Sequence, residues 1–288
     1  MAERLSDIVT QIQNVRQLNA VVTAMRGIAA SRAQKGRSLL AGIEAYTAII
    51  SRAIGEALPL LPADRVAAPE REGAKRGLIF FCAEQGFAGA FSERVFEAAE
   101  ADIDGAVTFV VGTRGAAVAS ERGIAPDWSD AMTTRIDGIA NFANRLANAL
   151  YGYLAKRAIA RVDLLFSRSI SGSIRIDRHS LLPIDFTRFA QQEGKQPPVV
   201  ELAPGVLLER LAAEYVYGQL CEAAMHAFVA ENDARMTAMV AAKNNTEAKL
   251  ATLQQREQQL RQEKITTEIV ELAAGAEALR DSPQPEDR

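Results

Sequence analysis

Apolar residues recur at spacings of three and four along the start of the chain. Leu5, Ile8, Ile12, Val15, Leu18, Val22, Met25 and Ala29 form one run; Leu39, Ile43, Tyr46, Ile50 and Ile54 resume it. This alternation is the seam of a left-handed coiled coil, not the period of a strand. The first proline is Pro59, so nothing interrupts a helix over 1–57. At ~1.5 Å per residue that helix is about 80 Å long. It exceeds the diameter of a small domain, so one end projects or finds a partner.

The pattern changes over 75–204. Three short apolar runs, G-L-I-F-F-C-A, A-V-T-F-V-V-G and V-D-L-L-F-S-R, read as strands. Helical patterns follow the first two, F-S-E-R-V-F-E-A-A-E-A-D and T-R-G-A-A-V-A-S-E-R-G, and a third precedes the last strand. Strand alternating with helix predicts an α/β class domain, Rossmann-like, with a largely parallel sheet. G-S-I-R-I-D-R-H-S-L-L-P-I alternates and reads as an edge strand. A linker rich in proline and charge precedes this part.

Over 205–279 the helical period returns. Its stripe begins at Leu208, Leu211 and Tyr215, continues through Met225, Phe228, Met236 and Met239, and passes Lys243 and Thr246. It ends on Leu250, Leu253, Leu260, Ile265, Ile269 and Leu272. A helix of more than about 100 Å is too long for the middle domain to bury. Its partner is the first helix, in a long antiparallel coiled coil of N- and C-terminal helices with the α/β domain inserted. The second helix overshoots the first, so the apolar tip Ile265, Ile269 and Leu272 needs something else around it. The tail over 280–288 is expected to be disordered.

Composition narrows the function. Of 288 residues 48% are hydrophobic, enough for a sizeable core, and a net charge of −3 gives no case for nucleic acid. The start carries acidic residues and no apolar signal region. No window is a spanning helix, so no direct membrane insertion is expected. Cys82 and Cys221 are far apart, without metal-ligand spacing, as in a reduced cytoplasmic protein. Local charge is more informative. No acidic residue lies between Ile8 and Ile43, whereas Arg16, Arg26, Arg32, Lys35 and Arg37 do. That band is either a solvated face or a surface for an acidic partner.

Candidate chemistry is sparse. C-A-E-Q-G-F-A-G-A-F-S-E-R joins a strand to a helix, where phosphate loops sit, but Gly86-x-x-Gly89 fits neither the dinucleotide fingerprint nor a Walker loop. Cys82 has no histidine partner and reads as a buried structural thiol. His179 falls in the edge strand, and His226 reads as a surface or seam residue of the long helix. No catalytic residue, cofactor or metal is expected.

Three segments carry a resemblance. Q-I-Q-N-V-R-Q-L-N-A-V-V-T-A-M-R-G-I-A-A-S resembles the first helix of the gamma subunit of F-type ATP synthases. R-M-T-A-M-V-A-A-K-N-N resembles that family's Arg-Met-x-Ala-Met segment. I-T-T-E-I-V-E-L-A-A-G-A-E-A matches its C-terminal signature, with Ile265, Thr266, Glu268, Glu271, Gly275 and Ala276 in place. Thr23, Ser31 and Lys243 depart from it, as in a divergent bacterial branch. The resemblance implies a non-catalytic central-stalk rotor coupling ion flow to ATP synthesis or hydrolysis. The implied partners are the alpha and beta subunits of the catalytic head, the epsilon subunit and the membrane c-ring. The implied location is peripheral, on the cytoplasmic face of the inner (cell) membrane. It implies rotor–stator contacts at Met25, Arg26, Arg32, Arg235, Met236, Met239, Lys243, Gln262, Thr266 and Glu268. The alternatives are a coiled-coil structural adaptor and an α/β nucleotide-binding enzyme with helical arms.

Overall fold

The computed structural model describes the backbone of residues 5–61, 75–156, 158–170, 172–189 and 198–280, with side chains to residue 274. The expected tail and most of the linker lie outside these residues. Two helices dominate: α1 (Leu5–Ala57, 53 residues) and α6 (Pro204–Arg280, 77 residues). α1 ends just before the turn containing Pro59, and α6 opens on Pro204, whose missing N–H costs nothing in a first turn. The chain divides into two compact units, 27–238 and 1–26 with 239–288. The division therefore falls within both long helices.

The larger unit holds a five-stranded sheet of β1 (Lys75–Phe81), β2 (Val107–Val111), β3 (Trp128–Asp130), β4 (Ile159–Ile170) and β5 (Ser173–Leu182). Its order is β3-β2-β1-β4-β5. β1 pairs in parallel with β2 and β4, β2 in parallel with β3, and β5 lies antiparallel on β4. The predicted parallel strands and edge strand are present. β3 is an additional strand, and its three residues are too short to carry a period.

Successive β1 side chains point to opposite faces. Ile79 and Phe81 join the core under α5 (Ile139–Ala155) and the middle of α6. Leu78, Phe80 and Cys82 join the core under α2 (Phe91–Glu97) and α4 (Thr113–Glu121). Each such side chain contributes about 1.5–3 kcal/mol by leaving water. The helix expected after β1 is split into α2 and α3 (Glu100–Ile103), because Ala99 leaves the helical region (φ −134°) with its methyl buried in this core. On the same side Gly112 and Gly115 let α4 approach the end of β1. A Cβ at Gly115 would lie 2.2 Å from that of Cys82.

The seam of α1 follows a stricter heptad than its large apolar residues suggest. In the larger unit it runs through Ala29, Ala33, Gly36, Leu40, Ile43, Thr47, Ile50 and Ile54, all buried or half-buried. Leu39 and Tyr46, expected on the seam, are 49% and 37% exposed. Small residues hold the phase because the helices touch there: a Cβ at Gly36 would meet Val229 Cγ2 at 2.4 Å. In the smaller unit Ile8 and Ile12 pack against Leu253, and Asn19 accepts from Thr246 at 3.4 Å. The partner's number falls as the first rises, so the pair is antiparallel. Leu18 is 52% exposed, and Asn19 has its place on the seam.

Candidate functional site

The loop after β1 has the position of a phosphate loop but not its free donors. Ala83 N–H donates to Ser92 Oγ, and the N–H groups of Glu84 and Gln85 donate to the Glu231 carboxylate at 3.2 and 3.3 Å. The N-terminus of α4, the natural anion site, is filled by Glu84, which accepts from Thr113 N–H at 3.0 Å and from Met132 N–H at 2.8 Å. The chain's own carboxylates thus occupy the donors a nucleotide phosphate would need. Phe87 and Gly89 both take φ of +62°, and Phe87 projects with 69% of its surface exposed.

The other half of this anchor comes from α6. Arg235 donates to the carbonyls of Gln85 at 3.0 Å and Gly86 at 3.2 Å, and pairs with Glu231 one turn away. Both side chains are almost fully buried, which is tolerable only because every charge is paired and hydrogen-bonded. Arg235 is among the rotor–stator contacts that the resemblance implies; at 5% exposure its donors are instead used inside the chain. Asp233, also buried, takes a two-point bond from Arg37 of α1 at 2.5 and 2.6 Å. Every residue from 223 to 233 is buried, because α6 here lies between α1 and the sheet. A helix apolar on one stripe alone cannot do this, and Glu231, Asn232 and Asp233 are matched with partners instead.

The two cysteines and His226 are all buried, Cys82 in the core under α2 and α4 and Cys221 on the other face of the sheet. Burial pushes the Cys82 thiol far above its ordinary range, so the nucleophile reading has no thiolate behind it. His226 is not a surface residue: it is 5% exposed, stacked on Phe166 at 5.9 Å, and burial lowers its pKa to about 4.

The remaining implied contacts are differently placed. Arg26 and Arg32 are half-buried, and among the described residues no carboxylate pairs with either. Met25 and Met236 are half-buried, Met239 is buried on the seam, and Lys243 pairs with Glu247 at 3.5 Å. Every residue from 261 to 274 is exposed. Ile265, Ile269, Val270 and Leu272 expose 56%, 60%, 60% and 74% of their surfaces. Gln262, Thr266 and Glu268 are exposed too. Thr266 Oγ1 donates to the Gln262 carbonyl at 2.9 Å, and Glu268 pairs with Lys264 at 3.7 Å. Nothing in the sequence singled out Glu84, Glu231 or Asp233, because their partners, apart from Arg235 one turn from Glu231, are 29 to 196 residues away.

The chain is similar to known proteins along nearly its whole length. The family model described as ATP synthase matches residues 4–279. An ATP synthase gamma chain of Bdellovibrio bacteriovorus is 26% identical over 297 residues, covering 96% of this chain and 99% of that one. One from Ruminiclostridium cellulolyticum is 27% identical, covering 97% and 100%. Among solved structures, a chain of the Euglena gracilis mitochondrial ATP synthase, rotational state 3, superposes with a TM-score of 0.65 at 10% identity, covering 99% and 98%. That likeness concerns the fold: two long helices with an α/β insertion. With the match running through both helices and the sheet, the chain belongs to the ATP synthase family, among its gamma chains, the non-catalytic rotor subunits of the central stalk.

Proposed function

We propose that the exposed end of α6 is the part of this rotor that the catalytic head grips. Alpha and beta subunits surround the helix pair, and Ile265, Ile269 and Leu272 turn within an apolar bearing. The sheet-bearing unit stands at the membrane-proximal foot, against the epsilon subunit and the c-ring, on the cytoplasmic face of the cell membrane. Among the described residues no helix is long and apolar enough to cross a membrane. The observation that carries the reading is the unbroken exposure of residues 261–274 around the whole helix. An apolar stripe left in water is costly unless another surface covers it.

Coupling in this reading is an interface bias. Each shaft angle favours a different state of each catalytic site, and the free energy of the contacts sets how strongly. Gln262 and Thr266 share a face, while Glu268 points about 200° from Thr266, so different subunits meet different groups. Arg26, Arg32 and Lys243 face acidic loops, each pair worth at most about 1 kcal/mol.

The test is the combined variant Gln262→Ala, Thr266→Ala, Glu268→Ala in the assembled complex, reconstituted into vesicles. Assembly is expected to be intact, while ATP turnover and ion pumping fall together. A complex that pumps and hydrolyses like the parent would remove these three contacts from the account. Reversing Arg26 and Arg32 together is expected to slow rotation in a salt-dependent way.

A further inference from the structure

We propose that Glu44, Glu222 and His226 form a binding site for a divalent transition-metal ion of the zinc class. Glu222 and His226 are one turn apart on α6 and so share a face. Glu44 reaches the same point from α1. His226 Nε2 lies 3.9 Å from a carboxylate oxygen of each glutamate, and the three ligand atoms all lie within 4.8 Å of one another.

The imidazole is the unusual member. Its side chain is 6% exposed, and Nε2 is buried without a hydrogen-bond partner. A buried polar nitrogen left unpaired costs free energy. At 3.9 Å both carboxylates are beyond hydrogen-bond reach, so neither satisfies it directly. The gap is the size an ion fills. Zinc binds nitrogen and oxygen at about 2.0–2.2 Å, which sets two ligands of one tetrahedral ion roughly 3.4 Å apart. Closing from separations of 3.9 to at most 4.8 Å is a rotation of the glutamates, and Glu44, with its side chain 49% exposed, is free to make it. The stack on Phe166 fixes the ring.

Ligand chemistry selects the ion. Two carboxylates match the charge of a dication. An imidazole nitrogen favours zinc and its late transition-metal neighbours such as cobalt over calcium and magnesium, which prefer oxygen alone. Arg168 is the nearby cation, and Asp177 pairs with it at 2.8 Å. Three protein ligands leave further positions open to water on the exposed Glu44 side, and a bound ion would staple α1 to α6 beside the sheet.

The test uses the full chain, stripped with EDTA and exchanged into chelator-free buffer at about pH 7.5, where a histidine of ordinary pKa is neutral. Zinc chloride is titrated by calorimetry, and cobalt(II) chloride is followed by visible absorption. One equivalent of zinc is expected to bind, at least tenfold more weakly in Glu44→Gln and in His226→Gln, and unchanged in His179→Gln. The cobalt spectrum of the parent should vanish in His226→Gln. Circular dichroism checks that each variant folds; if His226→Gln does not, the half-exposed Glu44→Gln decides alone. Absence of a saturable first equivalent, an unaltered affinity in Glu44→Gln, or binding that disappears in His179→Gln would each overturn the site.

Discussion

The stretch of α6 from 223 to 233 and the stretch from 261 to 274 are parts of one helix with opposite surroundings. The first is buried all round yet contains His226, Glu231, Asn232 and Asp233. The second is exposed all round yet contains Ile265, Ile269, Val270 and Leu272. Burial along this helix therefore does not follow hydrophobicity residue by residue. It follows what surrounds each segment. The middle can hide charges because α1 and the loop after β1 supply their partners. The end exposes apolar surface because its partners belong to other chains, in the function proposed above.

Four experiments probe that contrast, beginning with the largest effect. Arg235→Ala leaves Glu231 buried without its cation and the Gln85 and Gly86 carbonyls without their donor. It should cost about 3–5 kcal/mol of unfolding free energy, read from urea denaturation of the full chain. A loss below about 1 kcal/mol would mean that the pair is effectively solvated and the middle of α6 no different from a surface.

Leu253→Ala removes the side chain that Ile8 and Ile12 cover. A loss of about 2–3 kcal/mol, at the lower end for a buried leucine, is expected. If the smaller unit opens by itself, hydrogen exchange at 239–260 should rise before exchange in the sheet does. Uniform acceleration across the chain would contradict two separable units.

Gly36→Ala tests how closely the helices approach in the larger unit. Helix propensity favours the change by about 1 kcal/mol. The added methyl, however, falls 2.4 Å from Val229 Cγ2, and a β-branched side chain on a helix has little freedom to move. Net destabilisation of about 1–2 kcal/mol is expected. Gly36→Ala with Val229→Ala should restore much of it, as a double-mutant cycle would report.

The smallest effect is the most diagnostic. Ile269→Ala and Leu272→Ala should change the stability of the isolated chain by no more than about 0.5 kcal/mol, since neither side chain has a covering surface in the chain. The same variants in the assembled complex should reduce coupled ATP turnover. A clear stability loss in the isolated chain would show that the end of α6 has an intramolecular partner.

The long helices and the alternation of strand and helix were legible because they depend on local period. So was the exposed end, which followed from the unequal lengths of the two helices. The exact seam was not. Large side chains pointed to Leu18, Leu39 and Tyr46, whereas the contact line runs through Asn19, Leu40 and Thr47, with Ala33 and Gly36 filling it. A small residue gives no hydrophobic signal, and its value at a close approach appears only once the other helix is present. β3 was missed for a related reason: three residues are too few for a period, and only the paired edge of β2 makes Trp128–Asp130 a strand.

The sequence by itself determined the two long helices, the alternation of strand and helix between them and the family, because these rest on residue spacing and on segments that stay contiguous in the chain. Tertiary structure alone decided which charges are interior. Arg235 looks in sequence like the other cations of the shaft. It is buried because residues 85 and 86, about 150 positions earlier, fold back to meet it. The meeting of Glu44 with Glu222 and His226 was decided the same way. Low dielectric and steric fit act between residues brought together by folding, and no local pattern encodes them.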